Sequence, residues 1–84
     1  MKKLDKYNIY SLSKIIYKTG IMISGNNKSF TKLSEKLILN LQEGYSDDKI
    51  KRVLSSELTV TYGLSISNKK IEEITDTIIK WFDL

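Results

Sequence analysis

Apolar residues recur along this chain at the three- and four-residue spacing that gathers them on one side of a helix, in four successive stretches. Ile9, Leu12, Ile15 and Ile16 share a face in the first, which runs from about Tyr7 to Lys18. Phe30, Leu33, Leu37, Ile38 and Leu41 form the stripe of the second, and Ile50, Val53, Leu54 and Leu58 that of the third, closed by Tyr62. Ile71, Ile74, Ile78, Trp81 and Phe82 make the fourth. Four amphipathic segments joined by short connections predict an all-α fold, an antiparallel four-helix bundle.

Start and stop signals sharpen these boundaries. With no proline in the chain, punctuation falls to Gly20, Gly25, Gly44 and Gly63 and to the residues that cap helices. Asp5 or Asn8 suits the start of the first helix, Ser29 that of the second, Ser46 that of the third and Ser67 that of the fourth, because a short side-chain oxygen can accept one of the amides left free there. Tyr45 with Ile50, and Ile66 with Ile71, stand at the spacing of a hydrophobic staple. Gly44 fits the left-handed residue that closes a helix. Ile21, Met22 and Ile23 either extend the first helix past Gly20 or form an apolar link. Leu58, Val60, Tyr62, Leu64 and Ile66 alternate with Thr59, Thr61, Gly63 and Ser65, a pattern shared with a half-buried strand. Helix is the preferred reading there, since a lone strand has no partner to pair with.

At 84 residues the chain has room for one core, so residues 1–84 are read as a single helical-bundle domain. Its 40% hydrophobic and 29% charged residues are those of a globular protein and exclude a disordered tail. Cysteine is absent, so neither disulfides nor thiolate-bound metal are expected to hold the fold. The basic start from Met1 to Lys6 leads into no uninterrupted apolar run, and the richest apolar stretch, Ile15 to Ile23, is broken by Lys18, Thr19 and Gly20. Nothing approaches the roughly 20 apolar residues of a membrane span. The expected location is the cytoplasm.

Missing side chains narrow the chemistry. Histidine is absent along with cysteine, which removes the commonest general base, the commonest zinc ligands and the thiol nucleophile. Asp47 with Asp48, and Glu72 with Glu73, read as first-turn acids that complement a helix dipole and not as an acid and base pair. Gly25, Asn26, Asn27 and Lys28 match neither the P-loop nor the dinucleotide spacing and read as a polar turn. No calcium loop is present in the sequence. The expectation is a protein that is not an enzyme, binds no cofactor or metal, and works by engaging a partner.

Lys and Arg outnumber Asp and Glu by 14 to 10, a net charge of +4 that suits nucleic acid, an anionic membrane face or an acidic protein. Arg52 is the only arginine, which weighs against sequence-specific reading of DNA bases. Lys2, Lys3, Lys6, Lys14 and Lys18 spread over the first helical region, and Lys69, Lys70 and Lys80 flank the last. Such lysines ordinarily form a solvated face. Trp81 and Phe82 stand at the end of the fourth stripe, where they either close the bundle or anchor a partner.

From Asn26 onward the order and spacing of residues resemble a known family. Asn27, Ser29, Lys32, Leu37, Leu41 and Gly44 look like the second helix and closing turn of the immunity proteins that protect producers of pediocin-like (class IIa) bacteriocins, the enterocin A immunity family. Val53, Leu54 and Ser55 resemble a run in that family's third helix, and Gly63, Leu64, Ser65 and Ile66, leading to Lys70, Ile71 and Ile74, are similar to its link into the fourth. The resemblance spans about two thirds of the chain and rests on residue types common in helical bundles. It departs from the family in lacking, after the fourth segment, the tail that contributes to specificity there.

The resemblance implies an antiparallel four-helix bundle in the cytoplasm of a Gram-positive bacterium. It also implies a partner, the complex of a bacteriocin with the mannose phosphotransferase permease, recognised from inside so that the lethal pore is blocked. The basic charge then suits approach to the anionic inner face of the membrane without insertion. On this reading the third and fourth helices present the recognition surface, with Lys69, Lys70, Lys80, Trp81 and Phe82 as candidate contacts. The competing expectation is a small phage or plasmid regulatory protein that binds nucleic acid through a basic helical surface. An adaptor or inhibitor of another protein is the third class.

Overall fold

Helix α1 spans Lys6–Tyr17, α2 Thr31–Gln42, α3 Asp47–Val60 and α4 Asn68–Asp83 in the computed structural model, which contains no strand and describes all of residues 1–84. Three of the four starts carry a side-chain cap next to the helix it serves. The Asp5 carboxylate accepts from the Asn8 amide at 2.7 Å, Ser46 Oγ from the Lys49 amide at 3.3 Å, and Ser67 Oγ from the Lys70 amide at 3.2 Å. Each occupies one of the amides that a helix start leaves free.

The start of α2 differs from expectation. Ser29 does not cap it; the helix begins at Thr31, and Phe30 at its head makes no side-chain cap. The Phe30 amide instead donates to Ser13 Oγ of α1 at 2.9 Å, in the buried interior. Ser29 is used one turn earlier, where its Oγ accepts from the Asn26 amide and its own amide donates to the Asn26 carbonyl. With the Lys28 amide on Asn26 Oδ1, this is the polar turn expected of the Gly25–Lys28 stretch.

Helix ends follow the glycines. At Gly44 (φ +84°) the Tyr45 amide donates to the Asn40 carbonyl and the Gly44 amide to the Leu41 carbonyl, the paired bonds of a Schellman ending. Helix α1 stops before Gly20, and Ile21 and Met22 form a half-buried link while Ile23 is fully exposed. Helix α3 runs to Val60, after which the Leu64 amide reaches back to the Leu58 carbonyl at 2.9 Å. The Leu58–Ile66 stretch is therefore a helix end and a link, not a strand. Its Tyr62 ring packs at 4.8 Å between centroids, tilted by 43°, on Phe30.

In space α1 packs on α2, α2 on α3, α3 on α4 and α4 back on α1, so α1 and α3 occupy opposite corners of a four-helix bundle. The predicted stripes meet at its centre. Leu12 and Ile16, all five of the α2 stripe, Ile50, Leu54 and Leu58, and Ile71, Ile74, Ile78 and Phe82 are buried. Ile9, Val53 and Trp81 pack at the margin. Burial of these side chains, not helix propensity, holds segments of this length in helical form. Four polar residues are buried among them: Ser13, Ser34, Asn40 and Thr75. Thr75 donates to the Ile71 carbonyl and Ser13 accepts from Phe30, whereas Ser34 Oγ and Asn40 Nδ2 have no partner.

Candidate partner-binding surfaces

The five side chains expected to form one contact surface divide between the two ends of α4. Lys69 and Lys70 lie in its first turn, Lys69 exposed and Lys70 partly covered, and Lys80 is exposed in its last turn. From Lys69 to Lys80 the helix rises by about 16 Å at 1.5 Å per residue, so the two groups do not meet. Phe82 is only 3% exposed and belongs to the core, which corrects its reading as a partner contact: the closing turn of α4 folds its ring inward. Trp81 is half-buried. The Lys2 ammonium sits 5.4 Å from the centre of its ring, a cation–π contact worth about 0.5–1 kcal/mol where solvent reaches it.

That contact belongs to an N-terminal arm strapped over the end of the bundle. The Lys2 carbonyl accepts from Gln42 Nε2 at 3.3 Å, and the Lys3 carbonyl from Asn8 Nδ2 at 2.9 Å. Lys2 is thus committed within the chain, bridging the end of α2 to the end of α4.

On the α3–α4 side charges of both signs are interspersed, and some of them pair. Asp47, Asp48, Lys51, Glu72, Thr75 and Asp76 line a shallow recess of about 210 Å³. Lys51 and Glu72 pair across it at 2.7 Å, and the Lys51 hydrogen bond, with its charge, holds the Glu72 carboxyl below the usual carboxylate range. Lys36 pairs with Glu57 at 3.2 Å and Arg52 with Asp48 at 3.7 Å. Asp47 and Asp48 do sit in the first turn of α3. Glu72 and Glu73 do not sit in the first turn of α4, because that helix begins at Asn68; Glu72 serves the inter-helix pair instead. No group of three or more carboxylates lies close enough to hold a metal ion. At the end of α3, burial pushes the Tyr62 phenol above its ordinary value, with the Glu57 charge adding to the rise and the Leu33 backbone opposing it.

Helix α1 presents a different surface. From Lys6 to Ser34 the chain has no Asp or Glu but carries Lys6, Lys14, Lys18, Lys28 and Lys32. On α1 the outward positions are taken by exposed Lys6, Lys14 and Lys18 together with Tyr7, 72% exposed, and Tyr10, 39% exposed. Tyr10 lines an open recess of about 290 Å³ with Asn26, Asn27 and Lys28, which brings the α1–α2 connection onto the same side. Tyr17 at the end of the helix donates its hydroxyl to the Gly25 carbonyl at 3.0 Å and fastens that connection. Reading charge over the whole chain hides this partition. The signal that reveals it is the gap in carboxylates between Asp5 and Glu35.

No helix is long and apolar enough to cross a membrane. Comparison with protein-family models, with curated proteins and with solved structures finds no match.

Proposed function

We propose that this chain is an immunity protein of the kind that protects producers of pediocin-like bacteriocins, acting from the cytoplasmic side on the bacteriocin-engaged mannose phosphotransferase permease to block the pore. The observation that supports the reading most is the register of the resemblance on the fold. The stretch from Asn27 to Gly44 covers the entry, length and Schellman close of α2. Val53, Leu54 and Ser55 fall in the middle of α3, and Gly63 to Ile66 form the link into α4. The residues that carry the resemblance thus fall on α2, on α3 and on the link into α4, in the order in which that family uses them. A four-helix bundle with lysines at or near the surface at both ends of α4 suits a protein that works by occupying a surface.

On this reading Lys69 and Lys70 at one end of α4, and Lys80 with half-buried Trp81 at the other, are two separate contact regions. Phe82 supports the second from within the core. Expression in a bacteriocin-sensitive strain, followed by challenge with a panel of pediocin-like bacteriocins, tests the proposal. Survival against at least one member is expected. Unchanged killing by every member, with the protein present and helical, overturns it.

The second reading, a nucleic-acid-binding regulator, is favoured by the carboxylate-free run from Lys6 to Ser34. It requires affinity for DNA or RNA that falls steeply as salt rises.

A further inference from the structure

The outward face of α1 is unusual in composition for a merely solvated helix. Taking 100° per residue, Lys6, Tyr7, Tyr10, Lys14 and Lys18 fall within about 120° of arc, opposite the buried Leu12 and Ile16. A solvated face normally mixes both signs, as α3 does with Asp48 and Arg52. Here no carboxylate interrupts the lysines, and none of Lys6, Lys14 and Lys18 forms an ion pair. Their positive charge is available to a partner.

We infer that the outer face of α1 docks on the phosphate headgroups of an anionic lipid surface, with α3, at the opposite corner of the bundle, turned away from it. Three features favour lipid over nucleic acid. Every cation on the face is a lysine, a strongly hydrated point charge that suits a fluid array of headgroups better than fixed base edges; the one arginine, Arg52, is on α3. Tyr7 and Tyr10 stand between the lysines with their rings exposed, and tyrosine partitions to the headgroup level, where its ring is sheltered and its hydroxyl stays wet. Exposed apolar side chains bracket the helix along the chain, Met1 (86%) and Leu4 (37%) before it and Ile23 (fully exposed) after it. They gain at the boundary between headgroups and acyl chains and gain nothing beside a phosphate ladder.

This docking goes beyond the immunity reading and does not depend on it, because it asks only for an anionic bilayer. Were both true, the N-terminal half would bring the bundle to the membrane and leave α4, beside α1, at the flank where an embedded permease is met. The acidic recess between α3 and α4 would face largely away from the negative surface, as charge requires.

The test is co-sedimentation of the full chain with vesicles of phosphatidylcholine alone and of phosphatidylcholine mixed with phosphatidylglycerol. Binding is expected to the mixed vesicles only, weakening as salt rises. Each lysine near such a surface is worth about a fivefold change in partition, so K6Q/K14Q/K18Q together should weaken binding by about a hundredfold. Those positions are exposed, so the helical circular dichroism should be retained; K36Q/K49Q, at exposed positions of α2 and α3 on the side of the bundle away from α1, serves as the control and should bind as the parent does. Because the chain has no cysteine, a polarity-sensitive dye at Tyr7→Cys or at Ser56→Cys on α3 reports the orientation, with a blue shift expected at 7 and none at 56. Equal binding to both vesicle types, undiminished binding of the triple variant, or a shift at 56 and not at 7 overturns the inference. So does failure to bind either vesicle type, including the case where an oligonucleotide is bound instead through the same three lysines. Vesicle binding without protection from any bacteriocin sustains this inference while overturning the immunity reading, and protection without vesicle binding does the reverse.

Discussion

Ser46 and Ser67 each cap the helix that follows them directly in the chain, whereas the amide at the head of α2 is held by Ser13, a residue of another helix seventeen positions away. The starts of α3 and α4 are therefore local features that a short segment carries with it. The side-chain acceptor at the start of α2 is in place only once α1 has docked. Both arrangements occupy an orphan amide, but they differ in what surrounds it. Ser46 and Ser67 are exposed, so water can replace either hydroxyl; Ser13 is fully buried, and nothing else is available to Phe30. The same chemical group thus contributes differently according to whether solvent can stand in for it.

Ser13→Ala breaks that contrast most severely. It leaves a buried amide without an acceptor, which costs about 1–3 kcal/mol. Against a total of about 4–13 kcal/mol, from about 0.05–0.15 kcal/mol per residue, the fall in urea midpoint should be plain. Amide exchange adds locality, since the Phe30 N–H should lose protection before the α3 and α4 amides do. Should the Ser13→Ala midpoint equal the parent's, the inter-helix cap has no energetic role. Ser46→Ala and Ser67→Ala should each cost about 1 kcal/mol, the ordinary value for an N-cap. A larger loss than Ser13→Ala gives would invert the comparison.

Ser34 sharpens the point with the opposite sign. It is as buried as Ser13, yet its Oγ has no partner. Ser34→Ala removes an unsatisfied hydroxyl from the interior of α2 and supplies a better helix former, so a gain of about 0.5–1 kcal/mol is expected by thermal or urea melting. Two identical substitutions in the same core would then move stability in opposite directions. A loss at Ser34 would mean that its hydroxyl is satisfied in solution.

These contrasts also mark how far the sequence could be read. Asp5, Ser46, Ser67 and Gly44 were legible because cap and helix are adjacent, and the apolar stripes because the helical period alone selects the buried face. The start of α2 was not, because its acceptor is far away in sequence and Ser29 offered a plausible local substitute. Glu72 and Glu73 read as first-turn acids, although a Ser67 cap already puts them at the fifth and sixth positions of the helix; what the sequence does not show is that Glu72 has its partner, Lys51, on another helix. Of the candidate contacts, the lysines are indeed at or near the surface, but the period puts Phe82 in the same stripe as Ile71, Ile74 and Ile78, and that stripe is the core. The α1 face was spelled out residue by residue. Its lysines read as an ordinary solvated face until the absence of any carboxylate between Asp5 and Glu35 is set beside them.

The smallest expected effect separates the halves by titration. Lowering pH neutralises carboxylates, and these are concentrated on the α3–α4 side, while Lys6 to Ser34 contains none. Glu72 is held below the usual carboxylate range by Lys51, first through their hydrogen bond and then through charge. A carboxyl bound more acidic in the folded state contributes stability above its unfolded value of about 4.3, and that contribution disappears as pH falls through the folded value. The pair is exposed, so its contribution is small and weakens with salt. Glu72→Gln should therefore have a slightly lower urea midpoint than the parent at neutral pH. The difference should stay level down to the unfolded carboxylate range, then close as the solution becomes more acidic. A gap that persists unchanged at the acid end would assign the effect to packing of the side chain and not to the charge it shares with Lys51.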